Sequence, residues 1–428
     1  MDPAGRPTRV RYGVIGFALA LAIVTYVDRV CIAQAAPFIR KDLGLSTQQM
    51  AWAFAAFAWA YALMEIPGGY LGDRIGARKA LTRVVIWWSF FTAATGWVRS
   101  LPGLIVTRAA FGAGEAGCFP NVARMFATWV PADSRTRAQG LMWCAAHWGG
   151  AFTPMAVALL LQHFSWRLVF QMFGLLGIVW ALAFFAWYRD RPDDHRGTNA
   201  AERAMLPAAG ADLAHGPVPW AAFVRSPTVW LLWGQYMAVT FGWTFYITWL
   251  PTYLLEARGL DLKTTAVFAG FPLFFGGIGS LVSGTVSAPL GRRLGVARAR
   301  RLLAVTGCAG ACVCLVITGN IRDTMPAMLV MGMASFCNDL ALPGAWAACM
   351  DIGGRHVGTL SGSMNMMGNL MAGVAPLAVS LIVAWSGRDW TLVFYAGAVM
   401  YALAGVCWWL LRSARPIEEG AAEEGAAA

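Results

Sequence analysis

The chain has few charged side chains and very few histidines. Only 13% of its 428 residues are Asp, Glu, Lys or Arg, and five are histidines, whereas 58% are hydrophobic. Soluble globular domains carry about 25% charged residues, so this composition excludes an ordinary soluble protein. The nine cysteines form no metal-binding pattern with histidines, and no nucleophile–base arrangement stands out. We therefore expect no metal, no cofactor and no enzymatic activity.

Polar stretches are also scarce. Apolar runs of about 20 residues, long enough to cross a bilayer, recur along almost the whole chain. They lack the alternation of barrel strands, so we predict an all-α membrane protein with twelve transmembrane helices. The predicted spans are residues 12–39, 48–72, 80–98, 103–129, 137–161, 167–188, 228–254, 264–290, 299–320, 325–350, 357–384 and 390–412.

The basic residues are distributed unevenly between the predicted loops. Of the 33 Lys and Arg residues, 22 fall on the side of the N-terminus and 8 on the opposite side. Cytoplasmic loops carry such an excess, so both termini are predicted to be cytoplasmic and the chain to lie in the cell inner membrane. The net charge of +11 is thus explained by the basic residues of the cytoplasmic loops. No nucleic acid partner is therefore expected.

Internal repetition predicts two pseudo-symmetric six-helix halves. The sequence WRLVF at Trp166 opens the sixth span, and WTLVF at Trp390 opens the twelfth. Residues 140–154 and 362–376 also match, because each segment begins with Gly and ends with Pro. The predicted segments are a cytoplasmic N-terminal segment (1–11), an N-terminal six-helix bundle (12–188), a cytoplasmic linker (189–227), a C-terminal six-helix bundle (228–412) and a disordered cytoplasmic tail (413–428).

The loop after the second span, GGYLGDRIGARK (residues 68–79), combines glycines with charged residues. Glycines permit close helix approach, and Asp73 can pair with cations or with a helix N-terminus. We predict a cytoplasmic gating latch. Its residues are Gly69, Asp73, Arg74, Gly76 and Arg78. The second half carries a weaker copy from Gly284, in which Ala288 is the predicted counterpart of the acid.

Four ionisable residues lie deep in the first and fourth spans, where a charge needs a polar cavity or a partner. Asp28 and Arg29 are adjacent and point about 100° apart. This favours two separate tasks in one cavity, although an intrahelical pair is the alternative. Arg108 and Glu115 share a face, roughly 10 Å apart along the helix. Because a guanidinium can clamp a carboxylate, we predict that both arginines bind an organic anion and both acids carry protons.

Other polar residues extend this candidate cavity. Tyr26 and Tyr61 are candidates for substrate contact, with interhelix hydrogen bonding as the alternative. His147, in the fifth span, is a candidate for the cavity wall or for a neutral core position. The eleventh span offers Asn365 and Asn369 as further substrate contacts.

Four more residues receive secondary roles. Glu65 is expected to make a structural hydrogen bond rather than to carry a third proton. Arg124, near the cytoplasmic end of the fourth span, is expected to extend its guanidinium to the membrane interface. Asn338 and Asp339 of the tenth span are weaker candidates for the cavity.

Several of these stretches resemble known transporters. The loop at residues 68–79 resembles the signature loop of the major facilitator superfamily. The stretches YVDRVCIAQAAPFI (from Tyr26), RAAFGAGEAGCFP (from Arg108), WLPTYL (from Trp249) and WAACMDIGGRHVGTLSGSMNMMGN (from Trp346) resemble its anion:cation symporter family. That family includes bacterial transporters for hexonates, hexuronates, glucarate and phthalate-type acids.

The resemblance implies a proton-coupled symporter that takes up an organic carboxylate by alternating access, with its site between the two halves. A sugar acid such as a hexonate, hexuronate or aldarate is the implied substrate. The resemblance also assigns Arg108 to the substrate, Glu115 to the proton, and both tyrosines to the sugar acid. The expected partners are a small organic anion and membrane lipid, with protons as the coupling ion and a monomeric chain. An aromatic or other small carboxylate, a drug/proton antiporter and a non-transporting membrane sensor remain alternatives.

Overall fold

The computed structural model describes residues 6–207 and 217–411. The predicted tail lies outside these ranges, as do parts of the predicted N-terminal segment and linker. Within the described ranges the regular structure is helical, without β-strands. The first helices are α1 (Val10–Leu43), α2 (Thr47–Ile75), α3 (Ala77–Thr95), α4 (Leu101–Glu115), α5 (Cys118–Trp129), α6 (Arg135–His163), α7 (Trp166–Trp187) and α8 (Ala200–Ala204). The others are α9 (Trp220–Arg225), α10 (Pro227–Thr248), α11 (Leu250–Thr252), α12 (Leu262–Ala269), α13 (Phe271–Leu294), α14 (Val296–Asn320), α15 (Thr324–Ile352), α16 (Val357–Trp385) and α17 (Thr391–Leu410).

The helices confirm the predicted all-α membrane class. In the described part of the chain, nine helical segments are long and apolar enough to cross a bilayer on their own. The other three predicted spans coincide with α3, with α4 and α5 together, and with α10. Because α4 and α5 have only 15 and 12 residues, neither meets the length of a span alone.

Three spans that the hydropathy predicts as continuous helices are interrupted. The fourth span breaks between α4 and α5, the seventh ends at Thr248 before α11, and the eighth breaks at Gly270. After each break, one of the first three residues of the next helix is a proline: Pro120, Pro251 and Pro272. Proline lacks the N–H that would bond the carbonyl four residues earlier, so each proline removes a bond that would have spanned the break.

In the described part of the chain, the helices pack into two compact units. Unit 1 consists of residues 6–135, 149–207, 217–218 and 349–366. Unit 2 consists of residues 136–148, 219–348 and 367–411. The helices α6 and α16 therefore each contribute to both units.

Matched glycines bring α6 and α16 each into close contact with one neighbouring helix. In unit 2, a Cβ on Gly140 of α6 would collide with the carbonyl oxygen of Ser280 in α13. In unit 1, a Cβ on Gly362 of α16 would collide with the carbonyl oxygen of Glu65 in α2. Only glycine lets the two backbones approach this closely. The sequence match between these two glycines thus corresponds to equivalent helix contacts, one inside each unit.

The ends of α2 and α13 show the same repetition. Each helix is followed by a glycine in the left-handed region, Gly76 and Gly295, both with φ of 84°. Each of these glycines donates its N–H to the carbonyl four residues earlier at 2.9 Å. Matching the two ends aligns Asp73 with Arg292. The predicted alignment with Ala288 was therefore wrong, and the second copy carries a cation where the first carries the acid.

The linker contacts the start of α1 through a buried glutamate. Glu202 of α8 accepts hydrogen bonds from the Thr8 hydroxyl at 2.5 Å and from the Val10 amide at 3.2 Å. It also accepts from the amide and guanidinium of Arg11, at 3.1 and 2.9 Å. The first N–H groups of a helix have no partner within the helix, and Arg9 at the N-cap makes no side-chain cap. Glu202 therefore caps α1 from the linker.

The variant Glu202→Gln is expected to lower the thermal midpoint of the purified protein. Loss of a charge-assisted cap costs about 1–2 kcal/mol. Intrinsic fluorescence during heating in detergent gives the measurement. The exposed glutamate Glu256 supplies a matched control, since Glu256→Gln should leave the midpoint unchanged. Equal midpoints for the two variants would contradict the capping role.

Candidate functional site

Polar and ionisable side chains from α1, α2, α4 and α16 meet inside unit 1. We call this set the unit 1 cluster. Its members are Tyr26, Asp28, Arg29, Tyr61, Glu65, Arg108, Glu115 and Asn365. All are predicted site residues except Glu65, whose predicted role is a structural hydrogen bond.

An ion pair between α1 and α4 lies within the cluster. Arg29 donates from Nε to Oε1 of Glu115 at 2.6 Å. The Glu115 side chain is fully buried, whereas that of Arg29 is 25% exposed. The Arg29 guanidinium also lies over the ring of Tyr61, 4.5 Å from its centroid, and 6.0 Å from that of Tyr26. The acid predicted to carry a proton is thus paired with a cation predicted to bind the anion.

Asp28 is turned away from its neighbour in the sequence. Its Oδ2 accepts a hydrogen bond from Nε1 of Trp88 in α3 at 3.2 Å. Its Oδ1 is buried and has no hydrogen-bond partner among the described residues. In that part of the chain no ion pair joins Asp28 to Arg29. The intrahelical pair considered from the sequence is therefore not formed, and the two residues make separate contacts.

Arg108 is the more deeply buried arginine, with 2% of its surface exposed. Its guanidinium lies 4.4 Å from the ring centroid of Phe111 and 5.1 Å from that of Phe57. Across the described ranges, no carboxylate lies within ion-pair distance, 4.0 Å, of this guanidinium. Cation–π contacts stabilise a desolvated cation by about 2 kcal/mol. This is less than the free energy needed to remove the cation from water, which is several kcal/mol. The positive charge of Arg108 is therefore buried, and no described Asp or Glu balances it at ion-pair distance.

Hydrogen bonds join α16 to α2 within the cluster. Asn365 donates from Nδ2 to Oε1 of Glu65 at 2.6 Å and to the Tyr61 hydroxyl at 3.4 Å. All three side chains are buried. The structural hydrogen bond expected of Glu65 is present, and it brings the predicted contact residue Asn365 beside Tyr61 and hence near Arg29.

The other two predicted substrate contacts belong to unit 2. His147 of α6 is buried, and its Nδ1 lies 2.7 Å from the carbonyl oxygen of Trp143. Its Nε2 lies 3.7 Å from Oδ1 of Asp339 in α15. Asn369 is half-buried in α16. His147 thus lies beside Asp339, which the sequence offers as a weaker candidate for the substrate cavity.

Asp73 of the predicted latch caps the start of α16 inside unit 1. It accepts hydrogen bonds from the amides of Gly358 and Thr359, at 2.9 and 2.7 Å, and from the Thr359 hydroxyl at 2.6 Å. It also pairs with Arg124 at 2.9 Å. A Cβ on Gly69 would collide with the carbonyl oxygen of Gly358, so glycine permits this approach of α2 to α16. The aspartate has both kinds of partner that the sequence suggests, a cation and a helix N-terminus.

The prediction that Arg124 extends to the membrane interface was wrong. Its side chain is 5% exposed and is held between Asp73 and the carbonyl oxygen of Arg355, to which it donates at 3.0 Å. The physical reason is the packing of α5, in which every residue from Cys118 to Trp129 is buried. Because other helices cover this helix on every side, the Arg124 guanidinium cannot reach the lipid interface.

The remaining latch residues fix other elements of unit 1. Arg78 donates its amide to Asp190 at 2.9 Å, and its guanidinium donates to the carbonyl oxygen of Phe185 at the end of α7. Burial raises the pKa of the Asp190 carboxyl, while the hydrogen bond from the Arg78 amide opposes that rise. Arg74 is exposed and donates to the hydroxyl of Tyr70 at 3.0 Å. The latch therefore divides into a part that holds α16 and a part that holds the end of α7.

Sequence reasoning missed the aromatic residues that surround the charges. Trp88, Phe57 and Phe111 contact the ionisable groups as described above. A signal was available for one of them, because Phe111 lies three residues after Arg108 and hence on the same helix face. Trp88 lies in α3, and no spacing within a single helix could have placed it beside Asp28.

Comparison with known proteins identifies the family. Residues 18–376 match the Major Facilitator Superfamily. The chain belongs to this superfamily. It is 33% identical over 398 residues to the probable sulfoacetate transporter SauU of Cupriavidus necator, with 92% of each chain covered. It is 30% identical over 428 residues to the D-galactonate transporter of Escherichia coli, with 94% of this chain and 96% of that one covered.

Solved structures of the superfamily share the fold. The proton:xylose symporter XylE superposes with a TM-score of 0.76 at 13% identity, covering 96% of this chain and 98% of the other. The predicted superfamily fold is confirmed, and relatives named for organic anions agree with the resemblance to the anion:cation symporter family. This Major Facilitator Superfamily protein is a multi-pass membrane transporter and not an enzyme.

Proposed function

We propose that this transporter is a proton-coupled symporter that takes up an organic anion by alternating access. A sugar acid such as a hexonate, hexuronate or aldarate is the proposed substrate class. Relatives named for a hexonate and for a sulfonated acid support an anionic substrate. The observation that carries the proposal is the buried guanidinium of Arg108, which lies beside aromatic rings without a carboxylate at ion-pair distance among the described residues.

The charge of the unit 1 cluster supports coupling to protons. Its acids are Asp28, Glu65 and Glu115, and its cations are Arg29 and Arg108. With every group ionised, three negative and two positive charges leave a net charge of −1, and a bound monoanion would make it −2. Uncompensated buried charge costs several kcal/mol, so the anion is bound more favourably when one or more of the acids take up a proton.

The Arg29–Glu115 ion pair supplies a specific linkage between the two ligands. A carboxylate that binds Arg29 must compete with Glu115, which holds the guanidinium at 2.6 Å. Protonation of Glu115 removes its charge and releases Arg29 for the anion. By thermodynamic linkage, the anion then raises the affinity for the proton by the same factor. Arg108 binds the anion independently of this exchange, and Tyr26, Tyr61 and Asn365 lie nearby as polar contacts.

The assignment extends to topology and organisation. We infer that the protein lies in the cell inner membrane with both termini in the cytoplasm, because Lys and Arg residues are concentrated on that side. We also propose that it works as a monomer whose two six-helix halves, residues 12–188 and 228–412, alternate the access to the site.

Transport by the purified full-length chain in liposomes tests the proposal. Wild-type protein should accumulate one anion of a panel of galactonate, glucuronate, glucarate, sulfoacetate and benzoate when the lumen is made alkaline. A protonophore should abolish accumulation but leave exchange across the membrane. Binding without exchange would indicate a sensor, and proton-driven export of cationic drugs would indicate an antiporter. Either result would overturn the proposal.

The variant Asp73→Asn is expected to slow exchange at least ~10-fold while changing anion affinity less than ~3-fold. The amide keeps one acceptor for α16 but removes the negative charge that pairs with the buried Arg124 at 2.9 Å, and breaking a buried ion pair costs about 3 kcal/mol or more. Asp42 supplies the matched control, since it pairs with Arg167 at an exposed site. Asp42→Asn should retain wild-type exchange. An equal loss of binding and transport in Asp73→Asn would argue against a gating role.

A further inference from the structure

Unit 2 contains a second buried ionisable pair that the proposed function does not use. Asp339 of α15 and His147 of α6 have 0% and 2% of their surface exposed. The Nε2 of His147 lies 3.7 Å from Oδ1 of Asp339. Ser280 of α13 donates to the same oxygen at 3.1 Å. Three helices thus meet at one carboxyl oxygen.

The contact of His147 with its own helix fixes one of its protons. Its Nδ1 lies 2.7 Å from the carbonyl oxygen of Trp143. A carbonyl oxygen can only accept, so Nδ1 carries a hydrogen in both the neutral and the charged ring. Any further proton must therefore reside on Nε2, which faces Asp339.

The described neighbours of the pair are polar or aromatic. Within the described residues, no Lys or Arg lies within 4.0 Å of the Asp339 carboxylate. Its other polar neighbour is Asn338, whose Nδ2 lies 3.5 Å from Oδ2. The edge of the Trp243 ring lies against His147, with centroids 5.0 Å apart. The titratable groups that interact with the carboxylate from neighbouring positions are Cys144 of α6, Tyr246 of α10 and Tyr401 of α17, all ordinarily neutral at pH 7.

These contacts leave one position for a proton. Without it, the lone pair of Nε2 faces a buried carboxylate that has no Lys or Arg within 4.0 Å among the described residues. With one proton, the pair is neutral overall, either as imidazolium and carboxylate or as imidazole and carboxylic acid. We propose that His147 and Asp339 form a proton-binding site of unit 2, separate from the acids of the unit 1 cluster.

The consequence is a proton-dependent contact of α6 with α13 and α15. A Cβ on Gly276 of α13 would lie 2.6 Å from Oδ2 of Asp339, so these helices are in close contact at the carboxylate. Loss of the proton leaves a charge that close packing cannot hydrate, which weakens this contact. Occupancy of the site should therefore change the rate of conformational exchange more than the affinity for the anion.

Nitrogen-15 NMR of the full-length protein labelled at histidine tests the site without substrate or transport. The chain has five histidines, and the variant His147→Gln identifies the His147 signals by their loss. We expect Nδ1 to stay protonated through the pH series, because the Trp143 carbonyl oxygen accepts its hydrogen, so that proton loss from the ring occurs at Nε2. In Asp339→Asn, the midpoint of that proton loss should fall at least one pH unit below the wild-type midpoint, because the anionic partner is removed. The signals of His163, at the exposed end of the same helix, should be the same in both proteins.

A second variant gives the opposite shift. Ser280→Ala removes a hydrogen bond that stabilises the carboxylate, so the pair should hold its proton to higher pH. An unchanged His147 midpoint in Asp339→Asn would overturn the proposal, as would proton loss from Nδ1 before Nε2. If Asp339→Asn does not fold, an unchanged midpoint in Ser280→Ala would overturn it instead. None of these outcomes depends on the anion transported, so failure of the symport proposal and failure of this site can be told apart.

Discussion

Replacing Arg108 by alanine is expected to weaken binding of the accumulated anion at least ~30-fold. The guanidinium is 2% exposed and has no carboxylate within 4.0 Å among the described residues, so its charge is available to a ligand. Truncation of one partner of a buried charge pair costs about 2–5 kcal/mol, and 2 kcal/mol corresponds to roughly 30-fold in affinity. Equilibrium binding to the purified variant, with the anion that wild-type liposomes accumulate, gives the measurement.

Two further arginine variants sharpen this test. Arg108→Lys should bind poorly as well, because an ammonium cannot reproduce the planar, bidentate contact of a guanidinium. Arg167 is paired with Asp42 at a site where the side chains are 31% and 47% exposed. Arg167→Ala should therefore retain wild-type affinity. Undiminished affinity in Arg108→Ala would remove Arg108 from the substrate site.

The variant Glu115→Gln is expected to lose accumulation driven by a pH gradient while retaining exchange of the anion. The amide imitates the protonated acid, so the ion pair with Arg29 is permanently absent and the guanidinium remains available. Because the linkage between anion and proton runs through this pair, anion affinity should also depend less on pH. Gradient-driven uptake and counterflow, measured on the same liposomes, separate the two properties.

A second buried glutamate provides the control for this variant. Glu202 is also fully buried and hydrogen-bonded, but it caps α1 from the linker, away from the ionisable residues of the cluster. Glu202→Gln should keep its pH-driven accumulation even if its thermal midpoint falls. Normal accumulation in Glu115→Gln would refute the proton assignment, and loss of accumulation in both variants would point to a general effect of instability.

The fold was largely predictable because lipid imposes a simple rule on the sequence. Every spanning segment must be apolar for about 20 residues and must satisfy its own backbone, so hydropathy locates the helices. The interruptions were harder to predict, since a proline inside a membrane helix is often tolerated. Pro154 and Pro376 lie inside continuous helices, whereas Pro120, Pro251 and Pro272 follow breaks. Whether a proline interrupts a membrane helix depends on how neighbouring helices satisfy the freed backbone groups, and residues near the proline in the sequence do not show this.

The members of the site were easier to predict than their partners. Charges such as Arg29 and Arg108 stand out because a bilayer disfavours them. Helical periodicity then gives the face on which each lies, but not the helix that covers that face. The pairing of Glu115 with Arg29 joins residues 86 positions apart, and that of Asp73 with Arg124 joins residues 51 apart. Both pairings arise from tertiary packing, as does the burial that made the prediction for Arg124 wrong.

The cap on α1 has a consequence for biosynthesis. Arg11 and the glutamate that caps its helix are 191 residues apart in the chain. At about 5–20 residues per second, the ribosome needs roughly 10–40 s to make that length. The first helix must therefore enter the membrane and wait with its leading amides bonded only to water or lipid headgroups. The cap on α1 can therefore form only after the six predicted spans before Glu202 have all been synthesised.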